Sequence, residues 1–333
     1  MTKCLIVGAG IVGLSTAYEL KKKGFDVTIV DSNKKGQSSR AAAGILFPLS
    51  PWENLKYMQE LCISGHNEYN KFIENLSSID KKKIGLEKKD LIIFGKNTNL
   101  AKKWYKKNKF VESIFIENKL IKEEKNIKEK YENYLSIKNI NTLNPQNLIE
   151  FYRKSLLREG VVFKNENIDN IYSYVDISKN HIYDFVIVTT GSWSKEVFSE
   201  NHVKVKPIKG QLLHFKTKEK LLHNILLYNK YYIFSRGDNN IIAGATLEDV
   251  GFENNTTLEA EKNLKNFVYE IFNKSIKIRD SKMTFGFRPY SGNGKPYINR
   301  DLRNRRIIYN FGHYRYGILT AISSAKIVEK FIN

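Results

Sequence analysis

The chain opens on an apolar run, "KCLIVG" at residues 3–8, too short for a helix and shaped like a buried strand. After a glycine-rich turn, Ile11, Leu14, Ala17, Tyr18 and Leu20 recur at helical spacing, and lysines followed by Gly24 supply the stop. "FDVTIVD" is then a second strand. Strand, glycine-rich turn, helix and strand in that order predict the start of a doubly wound parallel sheet.

From about residue 50 to 145 the rhythm changes to helical, polar and lysine-rich, with strand-like pieces in "LIIFG" and "VESIFI". The α/β pattern returns with a helix opened near Pro145 and a strand after it, then with "DFVIVTTGSWS", an apolar strand entering a glycine turn. Several β stretches, "QLLHFK", "YYIFSR" and "NIIAGATL", fall within 205–285, and "RIIYNFGHYRYGILTAISSAKIVEKFI" closes the chain as strand, loop and helix. The pattern predicts an α/β protein with a Rossmann-like doubly wound domain built from 1–50, 146–204 and 286–333. An α+β domain carrying an antiparallel sheet, 51–145 and 205–285, is inserted into it. No internal repeat is visible.

A length of 333 residues suits two intimately packed domains, and 41% apolar residues give enough area to bury for a globular fold. Cys4 and Cys62 form no CxxC pair, which fits a reducing compartment. No run nears the roughly 18 apolar residues that cross a bilayer, and the N-terminus enters a strand directly. A cytoplasmic protein is expected. The net charge of +20 raises the question of a nucleic-acid partner, but the lysines are scattered as "KKKG", "DKKKIG" and "AKKWYKKNKF" and accompany no recognition motif. Nucleic acid is not the expected partner.

Gly8, Gly10 and Gly13 form G-x-G-x-x-G between a strand and a helix, a spacing that permits a tight turn, backbone approach to a pyrophosphate and close helix packing. Asp31 ends the second strand where a carboxylate can accept from ribose hydroxyls. The pair predicts adenine-dinucleotide binding, a fingerprint shared by NAD and FAD. "SSRAAAGILFPLSPW", 38–52, bears on the choice: Ala41, Ala42, Ala43 and Gly44 allow backbone to approach a flavin closely, with Ser38 and Ser39 placed for phosphate or ribityl oxygens. An Ala-rich helix start packed on the sheet is the alternative.

Six blocks stand in the order of a known family: "VGAGIVGLSTAYEL", "SSRAAAGIL", "VIVTTGSWS", "PIKGQLLHF", "YYIFSRGDNNIIAGATLEDVGF" and "FGFRPYSGNGKPYINR" continued by "FGHYRYGIL". The sequence resembles the D-amino-acid-oxidase-like flavoproteins and, within them, the glycine oxidases of thiamine biosynthesis. The likeness spans nearly the whole chain, and only loosely 53–145. It implies noncovalent FAD, since no cysteine lies near the flavin blocks. The cofactor would be held by Gly8, Gly10, Ile11, Val12, Gly13, Asp31, Ser32, Ser38, Ser39, Ala43, Gly44 and Ile45, by Ile168 near the adenine and Gly191, and by the loop and helix start His313, Tyr314, Arg315, Tyr316, Gly317, Ile318 and Leu319. That helix start would face the pyrimidine edge of the ring and stabilise negative charge there.

The resemblance also implies that Arg288 clamps a substrate carboxylate, because a guanidinium fork makes two parallel charge-assisted bonds. Tyr232 would reach the same carboxylate and Arg315 lie near the site. Tyr231 is the alternative tyrosine, since neighbouring strand residues face opposite ways. Lys230, Leu247 and Tyr316 depart from the histidine, methionine and asparagine of glycine oxidases. The expected activity is oxidative deamination of a small amino acid, glycine or a D-amino acid, by hydride transfer to the flavin N5, with dioxygen as acceptor and hydrogen peroxide as product. A dehydrogenase with another acceptor, a basic flavoprotein acting on modified tRNA and a homo-oligomer all stay open. No metal is expected: the histidines lack ligand spacing, and no H-E-x-x-H, G-x-S-x-G or P-loop appears.

Overall fold

The computed structural model describes residues 1–332 apart from 109–112, 118–119, 176–182, 199–202, 238, 274–275, 277 and 279. Two sheets form among the described residues. The first runs in the order β13 (Tyr297–Arg300), β14 (Ile307–Phe311), β7 (Phe185–Val188), β1 (Lys3–Val7), β2 (Asp26–Asp31) and β6 (Val162–Asn165), parallel throughout except at the β13–β14 edge. Its strands are apolar on both faces because both are covered. Cys4 and Ile6 enter one core while Leu5 and Val7 enter the other.

The first of those cores holds α1 (Ile11–Lys22), α2 (Lys56–Glu74), α5 (Pro145–Arg158) and α7 (Gly317–Ile332). In α2 the apolar stripe of Met58, Leu61, Cys62, Tyr69, Phe72 and Ile73 enters that core. Gly65 lets α2 cross α7 closely, since a Cβ there would sit 2.2 Å from the Leu319 carbonyl oxygen. Although α2 lies in the segment expected to belong with the antiparallel sheet, it packs in the parallel sheet's helix layer.

The second sheet runs in the order β12 (Lys282–Tyr290), β8 (Lys206–Lys216), β11 (Asn240–Gly244), β10 (Tyr231–Arg236), β9 (Ile225–Tyr228), β3 (Glu87–Phe94), β5 (Asn133–Thr142) and β4 (Ser113–Glu117). Its pairs are antiparallel except β3 with β9. The expected division at residue 286 falls inside β12, whose whole length pairs with β8. One face packs on α6 (Leu258–Ile271), and the other gathers Phe47 and residues of α4 (Thr98–Asn108). The short helix α3 (Ser78–Lys83) is capped by Ser77.

Residues 36–48 are pinned to both sheets and are not a helix start. The Phe287 N–H of β12 donates to the Gly36 carbonyl at 2.9 Å, and Gln37 bridges to Phe287. Further along, Leu46 N–H donates to Asn141 O at 3.0 Å, Leu143 N–H donates to Gly44 O at 3.0 Å, and Ile45 bridges Thr142. The small residues are required by contact. A Cβ on Gly286 would meet Ser38 Cα at 2.9 Å and the Ala41 methyl at 3.0 Å. The apolar continuation is an anchor, because Phe47 stacks on Tyr105 at 5.7 Å and the Tyr105 hydroxyl donates to Pro48 O at 2.9 Å.

Gly44 combines a φ of +77° with a would-be Cβ only 2.1 Å from Leu143 O. Left-handed backbone alone costs an L-residue about 1–2 kcal/mol, and the clash adds to it. Gly44→Ala is expected to lower unfolding free energy by at least about 2 kcal/mol and to weaken cofactor retention, read together by denaturant unfolding and by flavin absorbance after gel filtration.

Candidate active site

A cavity of about 720 Å³ is lined from both sheets, within the range of small-molecule and cofactor sites. At one end β1 turns into α1. Gly13 does not line the cavity; it packs so tightly that a Cβ would fall 1.9 Å from Gly8 O and 2.6 Å from Thr189 Oγ1. The N-cap Gly10 offers no side chain, and the Ile11 N–H donates to Ser39 Oγ at 3.1 Å. The start of α1 thus faces the cavity with backbone donors, as anion sites at helix N-termini do.

Asp31 closes the same turn. One carboxylate oxygen accepts from the Ala9 N–H at 2.5 Å, and the other accepts from the Asn33 N–H at 2.6 Å and from Gln37 Nε2 at 3.1 Å. Ser32, Ile168 and Gly191 line the same end of the cavity. Ser38, Ser39, Ala43, Gly44 and Ile45 line the cavity from the stretch between the sheets, and residues 313–319 also line it.

Sequence reasoning missed several supports. Arg236 donates from Nη2 to Ala43 O at 2.6 Å, which fixes the small-residue stretch. His313 is buried, with Nε2 3.0 Å from Asn310 Oδ1 and Nδ1 2.9 Å from Thr320 Oγ1. Asn310 Nδ2 in turn donates to Thr16 Oγ1 of α1 at 3.2 Å. Burial pushes the His313 imidazole down to about 3, so the ring is neutral and serves as a strut between α1, β14 and α7. The signal was a polar pair, Asn310 and His313, inside an apolar run.

At the far end Arg288 leaves β12 and lies over Gly210, where a Cβ would be 2.2 Å from the guanidinium carbon. A glycine inside a strand marks such a close approach, and "PIKGQ" carried that signal. Nη1 of Arg288 donates to Thr246 O at 2.9 Å, and among the described residues no carboxylate lies within ion-pair distance of it. Burial pulls the guanidinium below its usual range, while Tyr232 and Tyr314 push the other way. Burial also pushes the Tyr232 hydroxyl up to about 12, against the nearby Arg288 and Arg236. It is an O–H donor at neutral pH.

Strand alternation separates the two tyrosines. Both line the cavity, but Tyr231 packs its ring 5.1 Å from Phe267 of α6, whereas Tyr232 packs into the core on the opposite face of the sheet. Lys230 is exposed at the rim with its ammonium 5.1 Å from the Tyr231 ring. Leu247 is 60% exposed. Tyr316 is buried and accepts from Asn54 Nδ2 at 2.9 Å.

The family model for FAD-dependent oxidoreductases of the DAO family matches residues 3–330. The chain belongs to that family. FAD is therefore its cofactor, and the backbone donors, the Asp31 turn and the glycine-lined wall form a cradle of the kind this cofactor needs. A glycine oxidase from Pseudomonas aeruginosa is 26% identical over 350 residues, covering 99% of this chain and 94% of its own. Among solved structures, an iminodiacetate oxidase from Chelativorans sp. BNC1 superposes with a TM-score of 0.86 at 20% identity, covering 99% and 95% of the two chains. A glycine oxidase from Bacillus cereus gives 0.83 at 20% identity, covering 100% and 95%. Both likenesses show the DAO-family fold, including its Rossmann-like domain. Among the described residues no helix is long and apolar enough to cross a membrane.

The neutral His313 has a pH consequence. Unfolded, it binds a proton below about 6.5; folded, only near 3, so its contribution is complete above 6.5 and is lost as pH falls toward 3. Thermal unfolding midpoints are expected to drop from pH 6.5 to 4, and to drop less steeply in His313→Gln.

Proposed function

We propose that the protein oxidises a small amino acid at its α-carbon, with Arg288 holding the substrate carboxylate. The observation that carries this reading is a half-buried guanidinium in the cavity wall with no carboxylate within ion-pair distance among the described residues. Leaving such a cation unpaired is costly, and a substrate carboxylate supplies the missing partner. Gly210 gives the fork its room and Thr246 O fixes one arm, which leaves the remaining donors for two parallel bonds.

The Tyr232 hydroxyl is a second donor to that carboxylate, and Arg288 beside it adds charge assistance. FAD, when bound, supplies the two-electron acceptor that removes hydride from Cα. Overall, an amino acid, dioxygen and water give a 2-oxo acid, ammonia and hydrogen peroxide. The residues contribute position more than acid–base chemistry, because His313, the histidine of this wall, has both ring nitrogens engaged within the fold. The 26% identical glycine oxidase from Pseudomonas aeruginosa supports a small amino acid as substrate. A cytoplasmic enzyme with noncovalent FAD completes the reading.

Anaerobic mixing with glycine, sarcosine and D- and L-amino acids is expected to bleach the bound flavin with at least one small amino acid. Readmitted air would restore the colour with formation of peroxide. Bleaching by none contradicts the reading, and bleaching without reoxidation by air shifts the acceptor to another carrier. Arg288→Ala is expected to cost about 2–5 kcal/mol in kcat/KM for the best amino acid. Arg288→Lys should cost less, and the matched amine lacking a carboxylate should be insensitive to either change.

A further inference from the structure

We infer that Glu53 sets the charge selectivity of the cavity: by cancelling Arg315 it leaves Arg288 as the uncompensated guanidinium of this wall, and so favours amino acids with one acid group. The inference rests on the amino-acid reading above.

Glu53 ends a short turn, Pro51–Glu53, just beyond the apolar anchor Phe47. Its Oε2 accepts from Arg315 Nη2 at 2.8 Å. Neighbouring bonds hold the pair in place. Asn54 Nδ2 donates to the Tyr316 hydroxyl at 2.9 Å and to Ser50 O at 3.1 Å, and the Tyr316 hydroxyl donates to Ser50 O at 3.4 Å. Two segments 262 residues apart are thus joined by an ion pair that is itself exposed, with the Arg315 and Glu53 side chains 32% and 43% accessible.

Arg315 lines the cavity, with its guanidinium 5.5 Å from the Tyr314 ring and 5.9 Å from the Tyr316 ring. Its charge reaches Arg288, and the Tyr314 hydroxyl feels Arg315, Arg288 and Glu53 together. Glu248 also reaches Arg288, but it accepts from Gln211 Nε2 at 2.9 and 3.0 Å and lies 3.9 Å from the Lys209 ammonium, so the balance that Glu53 alters is that of two guanidinia and its own carboxylate, a single positive charge. One substrate carboxylate neutralises it. A second would find Arg315 already paired with Glu53 and the Lys230 ammonium resting on the Tyr231 ring.

The test compares aspartate with asparagine, nearly equal in size and different by one charge, each as both enantiomers, on FAD-loaded enzyme. Flavin reduction is followed anaerobically; where a substrate reduces too slowly, its dissociation constant is read from the perturbed flavin spectrum. Glu53→Gln is expected to raise the aspartate-to-asparagine ratio about two- to fivefold, the size of one exposed charge pair, and the rise should shrink with added salt. In Glu53→Gln/Arg315→Met the ratio should return toward the parent's. Arg315→Met alone, which leaves Glu53 uncompensated, should lower the ratio below the parent's and serves where Glu53→Gln does not fold. A ratio unmoved while both substrates weaken equally would make Glu53 merely structural and overturn the inference. An enzyme whose flavin no amino acid reduces fails at the earlier reading instead.

Discussion

Everything in this active site depends on how closely one stretch of backbone can lie against two sheets at once. Residues 36–48 bond to β12 on one side and to the end of β5 on the other. That double attachment is possible only with small side chains, since Gly44 and Gly286 have no room for a Cβ and Ala41 sits at the contact distance. The parallel sheet brings the glycine turn and Asp31, the antiparallel sheet brings Arg288 and Tyr232, and this stretch fixes one against the other. Phe47, clamped between Tyr105 and His66, anchors its far end.

The second constraint is charge. A strongly basic chain can leave many lysines in water at little cost, but a guanidinium held in a cavity wall calls for a partner. The fold answers that need differently at its two cavity arginines. Arg315 is answered from within by Glu53, whereas Arg288 has a single backbone carbonyl. In the proposed reading, this difference is what selects an anionic ligand.

Much of this was legible in the sequence because periodicity and glycine spacing report local geometry directly. The opening strand, the G-x-G-x-x-G helix and the closing strand and helix stand where the apolar pattern put them. Less legible was anything decided by long-range packing. The polar, lysine-rich character of 50–145 concealed that the apolar stripe of α2 belongs to the parallel sheet's helix layer. Adjacent tyrosines at 231 and 232 were indistinguishable until strand pairing set their faces. Nor does spacing reveal that Glu53 meets Arg315, because partners 262 residues apart are joined only by the folded chain.

A crystal structure of the FAD-loaded protein with glycolate, a glycine analogue carrying hydroxyl in place of amine, tests the central claim most directly. The account predicts the glycolate carboxylate on the Arg288 fork and the Tyr232 hydroxyl, with its α-carbon against the flavin ring between residues 43–45 and 314–317. A carboxylate held instead by Arg315 or Lys230, or a flavin ring outside that wall, would contradict it.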